Sequence, residues 1–437
     1  MFYRLFRSLI SLVLHQFFKL DSPVDPTHAL DASGPVVFVG NHPNGLIDPG
    51  LVFILAKRPV TFLAKAPLFK IPVLGTIMRA LDALPVFRKQ DGASTAANDT
   101  TLSAAVDALK RGRAITIFPE GKSHSEPQMS ALKTGCARIA LDAVRQGVKV
   151  KIVPVGLTYG EKNRYKSHVH VEVAAPIEAG AFLEQPGEDP FEAAKKLTQA
   201  IADSLRQVTL NLTQWEDLPI IETAESLYAL SQGDAAGSAE RHRAFAKGLA
   251  LLRDEQPERF EALKTQLASF RSRLELVKVA PKDLTVEYRA GTVARFVVRN
   301  ALWLLALPLF VLGMALFTLP YWVPVTLTTV LKTEDDVQST IKVVALMLLA
   351  PVWWLLLTLA AFFVGGPWWA AVMAVGSPPL ALLTRWYFER RSAALHDART
   401  FFVFWSRGRL RSRLLDEGQL LAGEISRVAQ ELRPRVA

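Results

Sequence analysis

Val36-Val37-Phe38-Val39-Gly40-Asn41-His42-Pro43-Asn44-Gly45-Leu46-Ile47-Asp48-Pro49 is the stretch on which the reading of this chain turns. Its first four residues form a continuous apolar run, the pattern of a buried strand. Pro43-Asn44-Gly45 is turn chemistry. Asp48 before Pro49 has the form of a helix N-cap followed by proline at the first helical position. A strand is therefore expected to deliver His42 to a loop, and a helix start to hold Asp48. An imidazole oriented by a carboxylate can take a proton from a weak nucleophile such as an alcohol. The same residues also fit a solvated pair beside an ordinary cap, because short motifs recur by chance. Three later segments add weight to the first reading.

Working outward, residues 21–215 alternate short apolar runs with helix-like stretches. Strands are expected at 36–39, 60–63, 114–118 and 150–155, and helices at 104–110, 131–146 and 191–205. Such alternation indicates an α/β domain. Leu84-Pro85-Val86-Phe87-Arg88-Lys89 reads as a strand whose tip presents a cation, and the Arg88 guanidinium suits a phosphate. Ala114-Ile115-Thr116-Ile117-Phe118-Pro119-Glu120-Gly121-Lys122-Ser123 runs a strand into an acid, a glycine and a hydroxyl. Glu120 can accept hydrogen bonds there, and Lys122 and Ser123 can add phosphate contacts. Lys151-Ile152-Val153-Pro154-Val155-Gly156 reads as a buried strand holding a proline, unusual in a central strand. It serves either a pocket wall or the core.

The composition sets outer bounds. At 437 residues the chain is long enough for more than one domain, and 50% of it is hydrophobic, with the excess toward the C-terminal end. A formal net charge of +10 suits nucleic acid, anionic lipid or acidic substrates. No nucleic-acid motif accompanies the basic residues, which favours lipid or phosphate. The single cysteine, Cys136, excludes an intrachain disulfide and a multi-cysteine metal site. It lies in a helix-like stretch with no base paired to it in sequence. His168, His170 and Glu172 alternate along one strand face, as a metal site or as a solvated polar face.

Residues 1–20 do not have the form of a cleaved signal, since Arg4, Arg7, His15 and Lys19 interrupt them. On a helix, Arg4, Ser8, Ser11, His15 and Lys19 make one polar stripe in a wide apolar surface. That pattern fits a helix lying in a membrane interface or one docked on its own domain. Residues 216–298 read as an α-helical connector. Residues 301–331 and 343–384 carry no charged side chain. A bilayer span needs about 20 apolar residues, so 299–386 reads as a membrane region of two to three hydrophobic segments. Gly365-Gly366-Pro367 breaks the second run. Arg289, Arg295 and Arg299 favour a cytoplasmic entry. Two spans plus an interfacial or re-entrant segment around 367–384 leave 387–437 as a basic cytoplasmic tail facing anionic headgroups.

The four segments, His42 to Asp48, then Phe87-Arg88, then Phe118-Pro119-Glu120-Gly121, then Val153-Pro154-Val155-Gly156, in this order and at this spacing, resemble the glycerolipid acyltransferase family. That family contains the glycerol-3-phosphate and lysophosphatidate acyltransferases. The resemblance covers 36–176, about a third of the chain. It implies a mixed sheet flanked by helices, with His42 as general base and Asp48 as its orienting partner. It also implies that Arg88, Glu120 and Gly121 bind the acceptor and that Pro154 lies in the acyl-donor region. Acyl-CoA or another activated acyl donor would be a co-substrate, with no cofactor, no metal and no nucleic-acid partner. The family pattern has four residues between His and Asp, and here there are five. The Asn-His-Pro-Asn form is similar to a branch with C-terminal membrane segments, acting on glycerol 3-phosphate or dihydroxyacetone phosphate. The expectation is an integral membrane acyltransferase with its active site on the cytoplasmic face. A lysophosphatidate acyltransferase and a non-catalytic membrane scaffold with a degenerate domain are the alternatives.

Overall fold

Val36 to Val39 have no exposed surface. A run with no polar face must be covered on both sides, and the strand sits in the middle of a sheet packed between helices. The computed structural model describes residues 2–72, 74–87, 98–183, 185, 189–233, 238–285, 290–406 and 408–436. The chain divides into two units, 1–209 with 327–344, and 210–326 with 345–437.

In chain order the first unit runs α1 (Phe2–Phe17), β1 (Lys19–Leu20), β2 (Val36–Gly40), α2 (Ile47–Leu55), β3 (Val60–Lys65), α3 (Leu74–Ala80), β4 (Leu84–Val86), α4 (Asn98–Lys110), β5 (Ala114–Ile117), α5 (Gly135–Arg145), β6 (Lys151–Tyr159), β7 (His168–Val173), β8 (Ile177–Glu178) and α6 (Pro190–Val208). The strand order is β1-β7-β6-β2-β5-β3-β4, with β8 also on β6. β2 lies parallel to both β5 and β6, with Val36 opposite Ala114 and Lys151. β6 pairs antiparallel with β7 and β8. The sheet is therefore mixed.

Alternation along β2 divides the core into two layers. Val36 and Phe38 pack with Leu51 and Phe53 of α2 and with Leu14 and Phe17 of α1. Val37 and Val39 pack with Leu109 of α4, Ile139 and Leu141 of α5, and Leu197 and Ile201 of α6. Each such side chain contributes about 1.5–3 kcal/mol when fully buried. α6 begins where sequence places it: the Asp189 carboxylate accepts the Phe191 N–H at 2.9 Å and Pro190 takes the first turn. α1 docks on its own unit through Leu14 and Phe17, while Leu5, Leu9 and Leu12 stay exposed.

Pro154 has a structural explanation. β8 pairs with Lys151 and Ile152, and β7 pairs from Val155 onward. Pro154 falls in the gap between them, where a missing N–H breaks no ladder bond.

The second unit contains α7 (Leu218–Gln232), α8 (Ala239–Glu255), α9 (Pro257–Val277), α10 (Ala290–Leu305), α11 (Leu307–Val330, ending in the first unit), α12 (Asp335–Ser406, beginning there) and α13 (Gly408–Val436). Phe260, Leu263, Leu267, Phe270 and Leu274 form the buried stripe of α9 and pack with Leu227 of α7 and Leu414, Leu421 and Ile425 of α13. The C-terminal basic stretch is thus largely a helix with one face in a core. α11 and the run Asp335–Phe404 are long and apolar enough to cross a membrane. α12 breaks at Gly366, with φ 78° and ψ −169°. Beyond it the chain stays helical and folds back, so that the Trp354 indole N–H donates to the Ala374 carbonyl at 3.0 Å.

Candidate active site

β2 ends at Gly40, and the Asn41 carboxamide continues its ladder. Asn41 Nδ2 donates to the Leu157 carbonyl at 2.9 Å, and Oδ1 accepts the Leu157 N–H at 2.8 Å. The next residue, His42, is thereby fixed just beyond the C-terminal end of this central strand. Its N–H donates to Glu120 Oε1 at 2.9 Å, and its carbonyl accepts the His124 N–H at 3.1 Å. The imidazole stacks on Phe118 at 4.3 Å between ring centroids and an interplanar angle of 20°.

Asp48 reaches His42 despite the longer spacing. Its Oδ2 lies 2.8 Å from His42 Nδ1 and accepts the Asn44 N–H at 2.7 Å. The extra residue is absorbed because the backbone begins to coil at Asn44, whose carbonyl accepts the N–H groups of Ile47 and Asp48. The expected capping pattern is corrected here. Leu46 is the N-cap of α2, and Asp48 lies inside the first turn with Pro49 following it. A side chain there can turn back toward the preceding loop, where the positive end of the helix favours a carboxylate.

Asp48 is fully buried, and its other oxygen, Oδ1, accepts the Tyr159 hydroxyl at 2.5 Å. Burial, with the Asp48 charge and this hydrogen bond adding to it, pushes Tyr159 well above the usual tyrosine range. Tyr159 stays protonated as a donor. A buried carboxylate needs such partners, or its desolvation would be costly. With Nδ1 carrying the proton shared with Asp48, Nε2 of His42 keeps its lone pair for a substrate. Nε2 makes no hydrogen bond among the described residues. His42 and Asp48 are thus brought together in the geometry of a base and its orienting acid.

Glu120 turns inward. Besides His42, its carboxylate accepts the Ser130 N–H at 2.7 Å and hydrogen-bonds the His124 ring. It ties the loop after β5 to the turn after β2. Gly121 adopts φ 76°, a left-handed backbone that favours glycine, and the end of the Lys133 side chain lies over it. Lys122 is exposed and Ser123 half-buried in the same loop. Pro154 is buried in β6 opposite Val39, one residue before Gly40. Arg88 lies outside the described residues.

Cys136 is buried on α5, and burial pushes its thiol up to about 12, far from a usable thiolate. His168 and His170 both point Nδ1 at Asp21, at 3.1 and 2.6 Å. Sequence reading missed Tyr159, His124 and Lys162. Tyr159 stands 111 residues from Asp48, and no local pattern joins them. Lys162 donates to the Pro43 carbonyl at 3.1 Å.

Residues 23–158 match the Acyltransferase family. The chain is 36% identical over 134 residues to glycerol-3-phosphate O-acyltransferase 2 of Saccharomyces cerevisiae, covering 30% of this chain and 18% of the relative. It is 25% identical over 158 residues to a 1-acyl-sn-glycerol-3-phosphate acyltransferase of Bacillus subtilis, covering 36% and 71%. The crystal structure of the 1-acyl-sn-glycerophosphate acyltransferase of Thermotoga maritima superposes with a TM-score of 0.35 at 19% identity, covering 46% of this chain and 76% of that one. The chain spans less than a fifth of the length of the yeast relatives it matches. Residues 23–158, which carry His42, Asp48 and Glu120, are an acyltransferase domain of the glycerolipid acyltransferase family.

Proposed function

We propose that this protein is a membrane-bound O-acyltransferase that moves a fatty acyl group from an activated donor to the hydroxyl of glycerol 3-phosphate or dihydroxyacetone phosphate. The observation that carries this is the His42–Asp48 pair at 2.8 Å with Nε2 left open. Nε2 takes the proton of the acceptor hydroxyl as its oxygen attacks the acyl carbonyl. The O–C bond forms, the C–S bond of the thioester breaks, and the imidazolium returns the proton to the leaving thiolate. Asp48 stabilises the imidazolium, and Tyr159 and the Asn44 N–H hold Asp48 in place. Glycerol 3-phosphate is preferred to lysophosphatidate because the yeast relative shares more identity than the Bacillus one. Arg88, Lys122 and Ser123 are the proposed phosphate contacts.

The apolar helices hold the protein in the bilayer. α12 folds back after Gly366, so its two arms enter and leave on one face. The Arg-rich segment beyond them favours the cytoplasmic face. A reporter fused after Ala437 should be cytoplasmic; an extracytoplasmic signal removes this topology.

The test is acyl transfer by the purified, detergent-solubilised chain. Labelled acyl-CoA is offered with glycerol 3-phosphate, dihydroxyacetone phosphate and lysophosphatidate in parallel, with His42→Ala as control. A His42-dependent product from either of the first two acceptors is expected. A product from lysophosphatidate alone makes that the acceptor. No transfer from acyl-CoA, acyl carrier protein or acyl phosphate leaves the scaffold reading in its place.

A further inference from the structure

The first N–H groups of the helix that carries Asp48, those of Ile47 and Asp48, are taken by the Asn44 carbonyl, and the N–H before them is held from elsewhere in the chain. Leu46 is the N-cap and has no side-chain acceptor. The N–H of Leu46 donates to Thr340 Oγ1 at 3.1 Å, from a residue 294 positions away. Thr340 belongs to the 327–344 stretch that packs within the first unit, between the two apolar runs of the sequence. A Cβ on Gly45 would stand 2.8 Å from Thr340 Oγ1 and 3.1 Å from the Asp336 carbonyl, so the stretch lies directly on the turn after His42.

The seat is built from several bonds. Ser339 Oγ donates to the Lys162 carbonyl, and Lys342 Nζ donates to the Asn163 carbonyl at 3.1 Å. The Asn163 carboxamide donates to the Asp335 carbonyl at 3.1 Å and to its carboxylate. Lys162 Nζ lies 3.2 Å from the Asp335 carboxylate while it donates to the Pro43 carbonyl. Asp336, Ser339, Thr340 and Val343 are buried, and Val343 joins the core of Phe38 and Phe53.

We propose that Thr340 is a positioning residue for acyl transfer, holding the Leu46 N–H at the entrance to α2 and so the seat of Asp48 behind His42. This rests on the function proposed above. Thr340 acts through the Leu46 N–H, two residues before Asp48. Asp335 and Lys162 clamp the other end of the same turn at Pro43. The segment between the apolar runs therefore braces the turn from His42 to Asp48 as well as connecting the runs.

The test uses the full chain in detergent and compares Thr340→Val, Thr340→Ser and Asp335→Asn with the wild type for kcat, for KM of each substrate and for Tm. Thr340→Val keeps the shape and removes the acceptor, and should lower kcat about tenfold, with each KM within about twofold. Thr340→Ser restores the oxygen and should recover most of the rate. Asp335→Asn should cost about threefold in kcat, the scale of a partly exposed ion pair. If Thr340→Val does not fold, Thr340→Ala carries the same comparison. A wild-type kcat in Thr340→Val, or a loss seen only in KM, or no recovery with serine, overturns the proposal while the function stands. An inactive wild type removes the function itself, and this proposal with it.

Discussion

At the residue scale the site depends on how a buried carboxylate is satisfied. Asp48 accepts from His42, Asn44 and Tyr159, so its charge is fully partnered where no water reaches it. Asp48→Asn removes the charge that stabilises the imidazolium, and kcat is expected to fall by about 10²-fold or more with little change in acceptor KM. Initial-rate kinetics check this, and an unchanged kcat would remove Asp48 from the mechanism. Tyr159 gives a pH signature. Its folded value lies above the ordinary 10.0, so its contribution to stability is complete below pH 10.0 and is lost as pH rises through the folded value. Thermal melts above that pH should show the wild type losing Tm more steeply than Tyr159→Phe. His42 and Asp48 were legible because six positions and one turn join them. Tyr159 was not, because strand pairing rather than sequence proximity brings it to the carboxylate.

At the scale of elements, strands were read more securely than loops. The buried runs at β2 and β5 carry their own signature, since only a strand covered on both faces is apolar throughout. The start of α2 was misplaced because Asp-Pro imitates a cap, while the coil begins earlier, at Asn44. The loop after β5 reads as an ordinary Pro-Glu-Gly turn. Its geometry depends on Gly121 at φ 76° with the Lys133 side chain packed over it. Gly121→Ala should destabilise the protein by about 1–2 kcal/mol through the left-handed backbone alone. A Tm equal to wild type would show that this loop relaxes freely.

At the scale of the whole molecule, two cores hold two units. The helical unit centres on Phe270, which is fully buried among side chains of α7, α9 and α13. Phe270→Ala should cost about 3–5 kcal/mol, as large-to-small changes in a packed core do. A melt within about 1 °C of wild type would show that the site collapses without cost, against the usual stability scaling. The Arg-rich C-terminal stretch looked like a tail because its charges dominate the composition. Its apolar residues at helical spacing, Leu414, Leu421, Ile425 and Val428, bury one face instead.

Local chemistry by itself determined the α/β class, the order of the site motifs, the long apolar runs and the closeness of His42 and Asp48 along the chain, because period, turn residues and short spacings are properties of neighbouring residues. Only the tertiary structure decided which groups surround that pair. Glu120 reaches back 78 residues to the His42 N–H, Tyr159 crosses 111 to Asp48, and Thr340 crosses 294 to Leu46. These contacts follow from sheet order and packing, and a hydrogen bond between distant residues leaves no periodicity in the chain to be read.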